Sequence, residues 1–192
     1  MNRSALVLAS SFLLFAGASL PAQEATPAPS PSPSAPAALP FPNADFEAGL
    51  DGWTLGKDDE TAGISQVSAE AAHEGKAGLR VKQAADGPGS WLESPRLAVE
   101  GGKRYRIAYW ARCVEESGVG LWIQFFDGDK KPIKPETPGD FISLVPPDAR
   151  EWHPYTFTVT VPKEAAFLSL AIHAFNKRPT VADFDDFSVA PF

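Results

Sequence analysis

The sequence predicts an all-β protein, an antiparallel β-sandwich that occupies residues 43–192. Three observations lead to this fold class. Apolar residues recur at every second position, which is the period of a half-buried strand. Turn-forming Gly, Pro and Asp residues separate the alternating runs, and no segment between them has the spacing and caps of an amphipathic helix. About eight short strands in one domain are typical of a sandwich.

The N-terminal segment has the pattern of a secretory signal peptide, which we assign to residues 1–22. Arg3 is followed by an apolar run from Ala5 to Phe15 and then by small residues, with cleavage expected after Ala18 or Ala22. The run is too short for a transmembrane helix, and no second apolar span follows. We therefore expect a secreted or periplasmic protein without a transmembrane segment in the mature chain.

Residues 23–42 are rich in Pro, Ala and Ser and predict a linker. Eight of the 19 prolines fall in residues 21–42, where there is almost nothing apolar to bury. Such a composition favours an extended, solvated backbone and a semi-rigid spacer. A disordered segment without a function is the alternative.

The strands of the domain follow from the alternation. In the first long run, Ile107 and Tyr109 alternate with Arg106 and Trp110. Turns such as Gly101-Gly102 delimit the runs. The predicted long strands cover residues 104–113, 119–126, 155–161 and 168–175, and shorter candidates cover 64–68, 79–83, 91–97 and 183–189.

The charge balance and the single cysteine exclude several functions. The chain has 17 Lys and Arg against 24 Asp and Glu, a formal net charge of −7. An acidic domain repels phosphate backbones and anionic membrane surfaces, so we expect no nucleic-acid partner. Cys113 is the one cysteine, which excludes an intramolecular disulfide and a cysteine-based zinc cluster.

Catalysis is not expected either. The sequence has no nucleophile elbow, phosphate-binding loop or dinucleotide fingerprint. Carboxylates cluster at residues 58–60 and 115–116, but both clusters fall in predicted loops. Neither cluster is in phase with Trp110 and Trp122, two tryptophans that alternate with the aliphatic residues of their strands. A small glycoside hydrolase or lyase is the least favoured alternative.

Five motifs in order resemble the galactose-binding-like jelly rolls. The similarity is greatest to the carbohydrate-binding modules of families 4, 9, 16 and 22, which bind cellulose and xylan. The resemblance spans nearly all of residues 43–192, and it implies a jelly-roll sandwich. The motifs are Asn43 to Glu47 with Gly52-Trp53, residues 75–81, the run from Val99 to Arg112 with the pattern V-x-x-G-x-x-Y-x-x-x-x-W-x-R, Trp152 leading to Val161-Pro162, and residues 184–189.

The resemblance also implies a structural calcium ion between the first and last strands. Glu47 and Asp186 match the family's positions for the two carboxylate ligands, and backbone oxygens near Asn43 and Lys76 would contribute further ligands. Calcium prefers such hard oxygen ligands. The alternative is that the acidic residues near 183–186 are solvated charges at a strand edge that discourage aggregation.

Two tryptophans are candidates for sugar binding, because sugars pack their apolar ring faces on flat side chains. Trp110 and Trp122 are out of phase with the aliphatic residues of their strands, so both should point away from the core. The same phase is shared by Arg112, Gln124, Phe126, His173 and Phe175. The alternative is that the loop of residues 127–151, with Phe141 and Ile142 as its anchors, packs over this face and buries it.

We therefore predict a secreted, non-catalytic module that binds a polysaccharide or oligosaccharide. Trp110 and Trp122 would stack on sugar rings, while Arg112, Gln124 and His173 would bind hydroxyl groups. Trp53 and Trp152 are expected in the core, and Trp91 is assigned to neither role. A protein-interaction module that uses the same face for other secreted proteins is the alternative.

Overall fold

The computed structural model describes residues 37–116, 118–134, 142–175 and 177–192. The predicted signal peptide and most of the predicted linker lie outside these residues. Within them, the elements in chain order are β1 (Thr54–Leu55), α1 (Lys57–Ala62), β2 (Ser65–Ser68), a 3₁₀ turn (Ala69–Ala71), β3 (Gly78–Gln83), β4 (Leu92–Glu93), β5 (Leu97–Ala98), β6 (Arg104–Glu115), β7 (Val119–Phe126), β8 (Pro132–Ile133), β9 (Ile142–Leu144), β10 (His153–Thr160), β11 (Phe167–Ala174) and β12 (Thr180–Pro191).

These strands form two antiparallel sheets, which confirms the predicted β-sandwich. One sheet has seven strands in the order β1-β4-β11-β7-β8, with β5 also pairing with β11 and β9 with β7. The other has five strands in the order β10-β6-β12-β3-β2. No helix in the described part of the chain is long and apolar enough to span a membrane.

The core lies between the two sheets and is built by the predicted alternation. In β6, Ile107 and Tyr109 are buried, and in β7 Leu121 and Ile123 face the same core. Ile123 pairs with Leu170 of β11 in the seven-stranded sheet, so aliphatic side chains of neighbouring strands lie side by side. Since successive residues of a strand point to opposite faces, the intervening residues lie on the outer faces of the sandwich.

Aromatic side chains close one end of the core. Trp53 is buried, as predicted, and packs between Phe46 and Phe187 at centroid distances of 4.8 and 5.6 Å. Its indole N–H donates a hydrogen bond to the carbonyl oxygen of Asn43. Phe41, from the segment predicted as linker, stacks on Trp53 at 5.8 Å, so the packed chain begins a few residues before Asn43.

The predicted boundaries differ from the observed ones at short elements. The candidate strand 91–97 consists of two separate two-residue strands, β4 and β5, and the last strand is longer than predicted, at 180–191. The register of β12 against β6 shifts between Asp185 and Ser188, and Asp186 has a φ of 52°. This irregularity is a bulge, which bends a strand and redirects its side chains.

Candidate functional site

The five predicted sugar-binding residues do not share one surface. Trp122, Gln124 and His173 lie on the outer face of the seven-stranded sheet, since they alternate with the core residues of β7 and β11. Trp110 and Arg112 lie on the outer face of the five-stranded sheet, in β6. Because both inner faces pack on the core, the two outer faces point in opposite directions.

Four rings meet on the outer face of the seven-stranded sheet. We call Trp91, Trp122, His173 and Phe175 the aromatic cluster. His173 is at its centre, with ring centroids 5.4 Å from Trp91, 4.9 Å from Trp122 and 5.4 Å from Phe175. Phe175 also contacts Trp122 edge-to-face at 5.4 Å, and 43% of its surface is exposed. The cluster is thus a partly open apolar surface with one polar ring.

Hydrogen bonds fix the orientation of the His173 ring. Its Nδ1 lies 2.5 Å from the carbonyl oxygen of Ser90. A carbonyl only accepts, so Nδ1 carries the proton and Nε2 of the neutral ring is an acceptor. The Ser90 hydroxyl accepts from the N–H of Ala174, and the N–H of Trp91 donates to the buried carboxylate of Asp59. The loop that carries Trp91 is therefore held in place by hydrogen bonds to β11 and to Asp59.

Burial varies along this face. Trp122, Gln124 and His173 are partly exposed, whereas Phe126 and Ser169, further along the same strands, are buried. The amide nitrogen of Gln124 is buried and has no hydrogen-bond partner among the described residues. An unsatisfied buried donor is costly, so Gln124 has unused hydrogen-bonding capacity beside Trp122.

The loop of residues 127–151, the alternative cover for this face, is only partly described. Residues 135–141, including the expected anchor Phe141, lie outside the described part of the chain. The two described ends form β8 and β9, which pair with β7 as additional edge strands. Ile142 and Leu144 of β9 are exposed and lie opposite Trp122 and Gly120. In the described residues, the loop therefore widens the sheet beside Trp122.

On the opposite face, Trp110 and Arg112 are partly exposed and contact other segments of the chain. His73 stacks on Trp110 with a centroid distance of 4.0 Å and contacts Trp152 edge-to-face at 5.2 Å. The expectation that Trp152 lies in the core is therefore wrong: it is partly exposed and packs on this outer face. The guanidinium of Arg112 donates to the carboxylate of Asp183 at 2.8 Å and lies 4.9 Å from the ring of Trp152. Trp110 and Arg112, the two predicted sugar-binding residues on this face, therefore already contact other protein groups.

Residues 69–77 cover the part of this face around Trp110 and Arg112, and we call them the covering segment. Asp185, which is fully buried, accepts hydrogen bonds from the N–H groups of His73 and Asp186. Burial raises the pKa of Asp185 to about 6. Arg80 joins the carboxylate of Glu70 to that of Asp183. These contacts attach the covering segment to β3 and β12 through charged hydrogen bonds.

Residues 41–179 match the family model described as "Carbohydrate binding domain", which represents carbohydrate-binding modules of families 4 and 9. The match spans most of the chain and includes every strand except β12. The chain belongs to this carbohydrate-binding family. No curated protein matches the sequence.

Solved structures of other carbohydrate-binding modules have the same fold as this carbohydrate-binding domain. "Family 16 Carbohydrate Binding Module-2" is similar with a TM-score of 0.58 and 15% identity, over 78% of this chain and 98% of that one. The CBM22-1 xylan-binding domain of Paenibacillus barcinonensis Xyn10C is similar with a TM-score of 0.56 and 16% identity, over 83% of this chain and 97% of that one. TmCBM61, solved with β-1,4-galactotriose, is similar with a TM-score of 0.53 and 16% identity, over 80% of this chain and 99% of that one. At these identities the similarity shows the jelly-roll fold.

The two carboxylates expected to bind calcium have separate partners in the carbohydrate-binding domain. Glu47 Oε1 accepts from the N–H groups of Lys76 and Ala77 at 2.6 and 2.9 Å, and these bonds lower the pKa of Glu47. Gly75 has a φ of 68°, and a Cβ there would collide with Glu47 Oε1. Asp186 Oδ2 lies 2.6 Å from Nδ1 of His73.

Oxygen donors of the kind that calcium prefers surround Asp186, whereas Glu47 does not line the same pocket. Asp186 lines a pocket of about 290 Å³ together with Asn43 and Asp45, at the junction of the first and last parts of the domain. Within the described residues, no three His, Cys, Asp or Glu side chains converge. An ion would therefore need backbone carbonyls to complete the about six to eight oxygen ligands that calcium takes.

Sequence reasoning left out some residues of the carbohydrate-binding domain's outer face. The outward phase of Phe175 was predicted, but Phe175 was not assigned to the site; it lies just beyond the end of β11. Glu93, whose carboxylate accepts from the hydroxyl of Ser169, lies on a two-residue strand that has no alternation to detect. The position of Trp91 is decided by its contact with His173, 82 residues away in sequence.

Proposed function

We propose that the outer face of the seven-stranded sheet binds a polysaccharide or oligosaccharide, with sugar rings packed on Trp122 and its neighbours. The partly exposed aromatic cluster is the observation that carries this proposal. Sugars combine apolar ring faces with hydroxyl groups, and the cluster combines aromatic faces with a histidine and an amide. Membership of the carbohydrate-binding family supports it, as do the relatives described as xylan-binding or solved with a galactotriose.

The polar groups beside Trp122 have distinct roles in this proposal. His173 Nε2 accepts a hydrogen bond from a sugar hydroxyl, because Nδ1 is held by the Ser90 carbonyl. Gln124 uses its unsatisfied amide after a small side-chain rotation toward the ligand. Trp110 and Arg112 have a different role: they hold residues 69–77 on the five-stranded sheet and do not contact sugar.

The module is proposed to be secreted and non-catalytic. Secretion rests on the signal-peptide pattern of residues 1–22. Among the carboxylates considered for catalysis, Asp59 is buried and accepts hydrogen bonds from the N–H and hydroxyl of Ser65 and from the N–H of Trp91. A carboxylate used in this way organises a loop and is not free to transfer protons to a substrate.

Two matched tryptophan variants test the proposal. Wild-type protein, Trp122→Ala and Trp110→Ala would be run by affinity electrophoresis through xylans, β-glucans, mannans, galactans and pectins. We expect at least one polysaccharide to retard the wild type. Trp122→Ala, which also loses ring contacts with His173 and Phe175, should stay folded but bind about tenfold or more weakly. Trp110→Ala should bind as the wild type does but unfold at a lower temperature, because it removes a stacking partner of His73.

Three results would contradict the proposal. Full binding by Trp122→Ala would exclude this face, and loss of binding in a folded Trp110→Ala would move the site to the other sheet. If no polysaccharide retards the folded wild type, the exposed Phe175 of the cluster and the exposed Ile142 and Leu144 beside it would instead indicate a protein partner on the same face.

A structural calcium ion, held by Glu47 and Asp186 with backbone carbonyls, is part of the same proposal. The hard oxygen donors and the pocket that Asp186 lines support it. Because a ligand that binds only the folded state stabilises it, removal of calcium with a chelator should lower the Tm by several degrees, and added calcium should restore it. Asp186→Asn should abolish this response. A Tm that is the same in excess chelator and excess calcium would refute the calcium site.

A further inference from the structure

A second recess adjoins the aromatic cluster. It has a volume of about 570 Å³ and lies where β7 begins and β11 ends. Apolar side chains dominate its walls, among them Val119, Leu144, Pro146 and Phe175. The volume falls within the range of about 300–1,000 Å³ typical of small-molecule sites. Phe175 belongs to both the recess and the aromatic cluster, so the recess continues the surface proposed to bind sugar.

Arg178 is the charged residue among those that line this recess. Its side chain is exposed, and within the described residues its guanidinium forms no hydrogen bond or ion pair. A Cβ at Gly118 would lie 3.2 Å from both Cβ and Cδ of Arg178, so the glycine lets the arginine stem lie close to the chain. A guanidinium beside apolar walls is suited to a planar carboxylate, which it binds through two parallel hydrogen bonds.

Internal hydrogen bonds hold the two sides of the recess in place. The buried side chain of Gln83 donates from Nε2 to the carbonyl oxygens of both Phe175 and Arg178, the latter at 3.0 Å. The N–H of Phe175 donates to the carbonyl oxygen of Gly118 at 2.9 Å. The backbone beside the guanidinium is thus fixed before a ligand arrives, which reduces the entropy lost on binding.

The net charge of the protein bears on which class of ligand Arg178 would bind. The protein has a formal net charge of −7, so its general field repels polyanions. A preference for an acidic ligand would therefore require a local contact. Within the recess, Arg178 supplies that contact.

We propose that this recess binds the carboxylate of a uronic acid unit in the glycan that lies on the aromatic cluster. The carboxylate pairs with the Arg178 guanidinium, and the apolar face of the sugar ring packs on Phe175 and Leu144. The inference rests on the proposed function, because the same glycan must also bind to Trp122. It assigns the glycan to an acidic class.

The test compares ligands that differ only in the carboxylate. Oligosaccharides of glucuronoxylan and of polygalacturonate, each beside its carboxyl-reduced form, would be titrated by calorimetry into wild type, Arg178→Gln and Trp122→Ala. Arg104→Gln is the matched control, since it removes an equal charge at the far end of β6, where Arg104 stacks on Phe192. Tm measurements would show that every variant is folded.

We expect the wild type to bind one acidic ligand about tenfold more tightly than its reduced form, which one charge-assisted contact can supply. Arg178→Gln should remove this preference and its salt dependence, whereas Arg104→Gln should keep both. Equal affinity for both forms, or a preference that survives Arg178→Gln, overturns the inference. If neutral glycans bind through Trp122 while the carboxylate has no effect, the proposed function stands and this inference fails. If neither form of any glycan binds, both are refuted.

Discussion

Replacing Asp183 by Asn should destabilise the domain strongly without affecting the proposed sugar face. The Asp183 side chain is fully buried on the outer side of β12. Its Oδ1 accepts from Arg80 Nε at 2.8 Å, and its Oδ2 accepts from Arg80 Nη2 at 3.1 Å and from Arg112 Nε at 2.8 Å. Asparagine has no charge and offers one acceptor oxygen, so both guanidinium groups would lose their main partner.

The size of the effect follows from the burial of this network. Removing one partner of a buried ion pair costs about 3–5 kcal/mol, because the remaining charge is left desolvated. The lower end of this range applies here, since Arg80 keeps its contact with the Glu70 carboxylate and Arg112 keeps its bond to the Glu70 carbonyl. With about 3 kcal/mol lost, the Tm of a domain of this size should fall by about 6–12 °C.

Urea unfolding followed by tryptophan fluorescence measures this loss. Asp129→Asn is the control, because the pair of Asp129 with Lys131 is exposed and its loss should change stability by less than about 1 kcal/mol. A free energy of unfolding for Asp183→Asn within about 1 kcal/mol of the wild type would refute the stabilising role of the network. If instead Asp183→Asn stays stable and loses glycan binding, Arg112 contacts the ligand after all.

Three further substitutions have expected outcomes. Gly78→Ala would place a Cβ on the carbonyl oxygen of Ala71, so a lowered Tm and a displaced covering segment are expected in thermal melts. Gly120→Ala would bring a Cβ within 2.6 Å of the Ser143 carbonyl oxygen and separate β9 from β7; glycan titrations should show weaker binding, and unchanged affinity would argue against a contribution of this edge. Asp59→Ala would leave three donors of a buried site unpaired, and a loss of about 2–4 kcal/mol is expected in urea unfolding.

Local alternation was sufficient to place single side chains inside or outside the sandwich. Ile123 is buried and its neighbour Trp122 is partly exposed, as the period of two predicts. The same holds for Tyr109 and Trp110 in β6. This works because consecutive residues of a strand point to opposite faces whatever the strand pairs with.

Alternation does not reveal which sheet a strand joins. β6 and β7 follow each other in the chain, yet β6 pairs with β10 and β12 while β7 pairs with β11. Trp110 and Trp122 are therefore on opposite outer faces although both were correctly expected to point outward. Strand pairing depends on contacts between distant parts of the chain, such as Leu170 with Ile123, and a single strand carries little information about them.

The sequence by itself determined the antiparallel sandwich, the family resemblance and the outward orientation of the aromatic residues. These properties follow from periodicity, turn residues and short motifs, which are local. Tertiary structure decided that His73 stacks on Trp110 and that Arg112 is paired with Asp183, 71 positions away. It also brought Phe175 and Arg178 to one recess. Whether an outward side chain meets solvent, a ligand or another segment is settled by long-range packing.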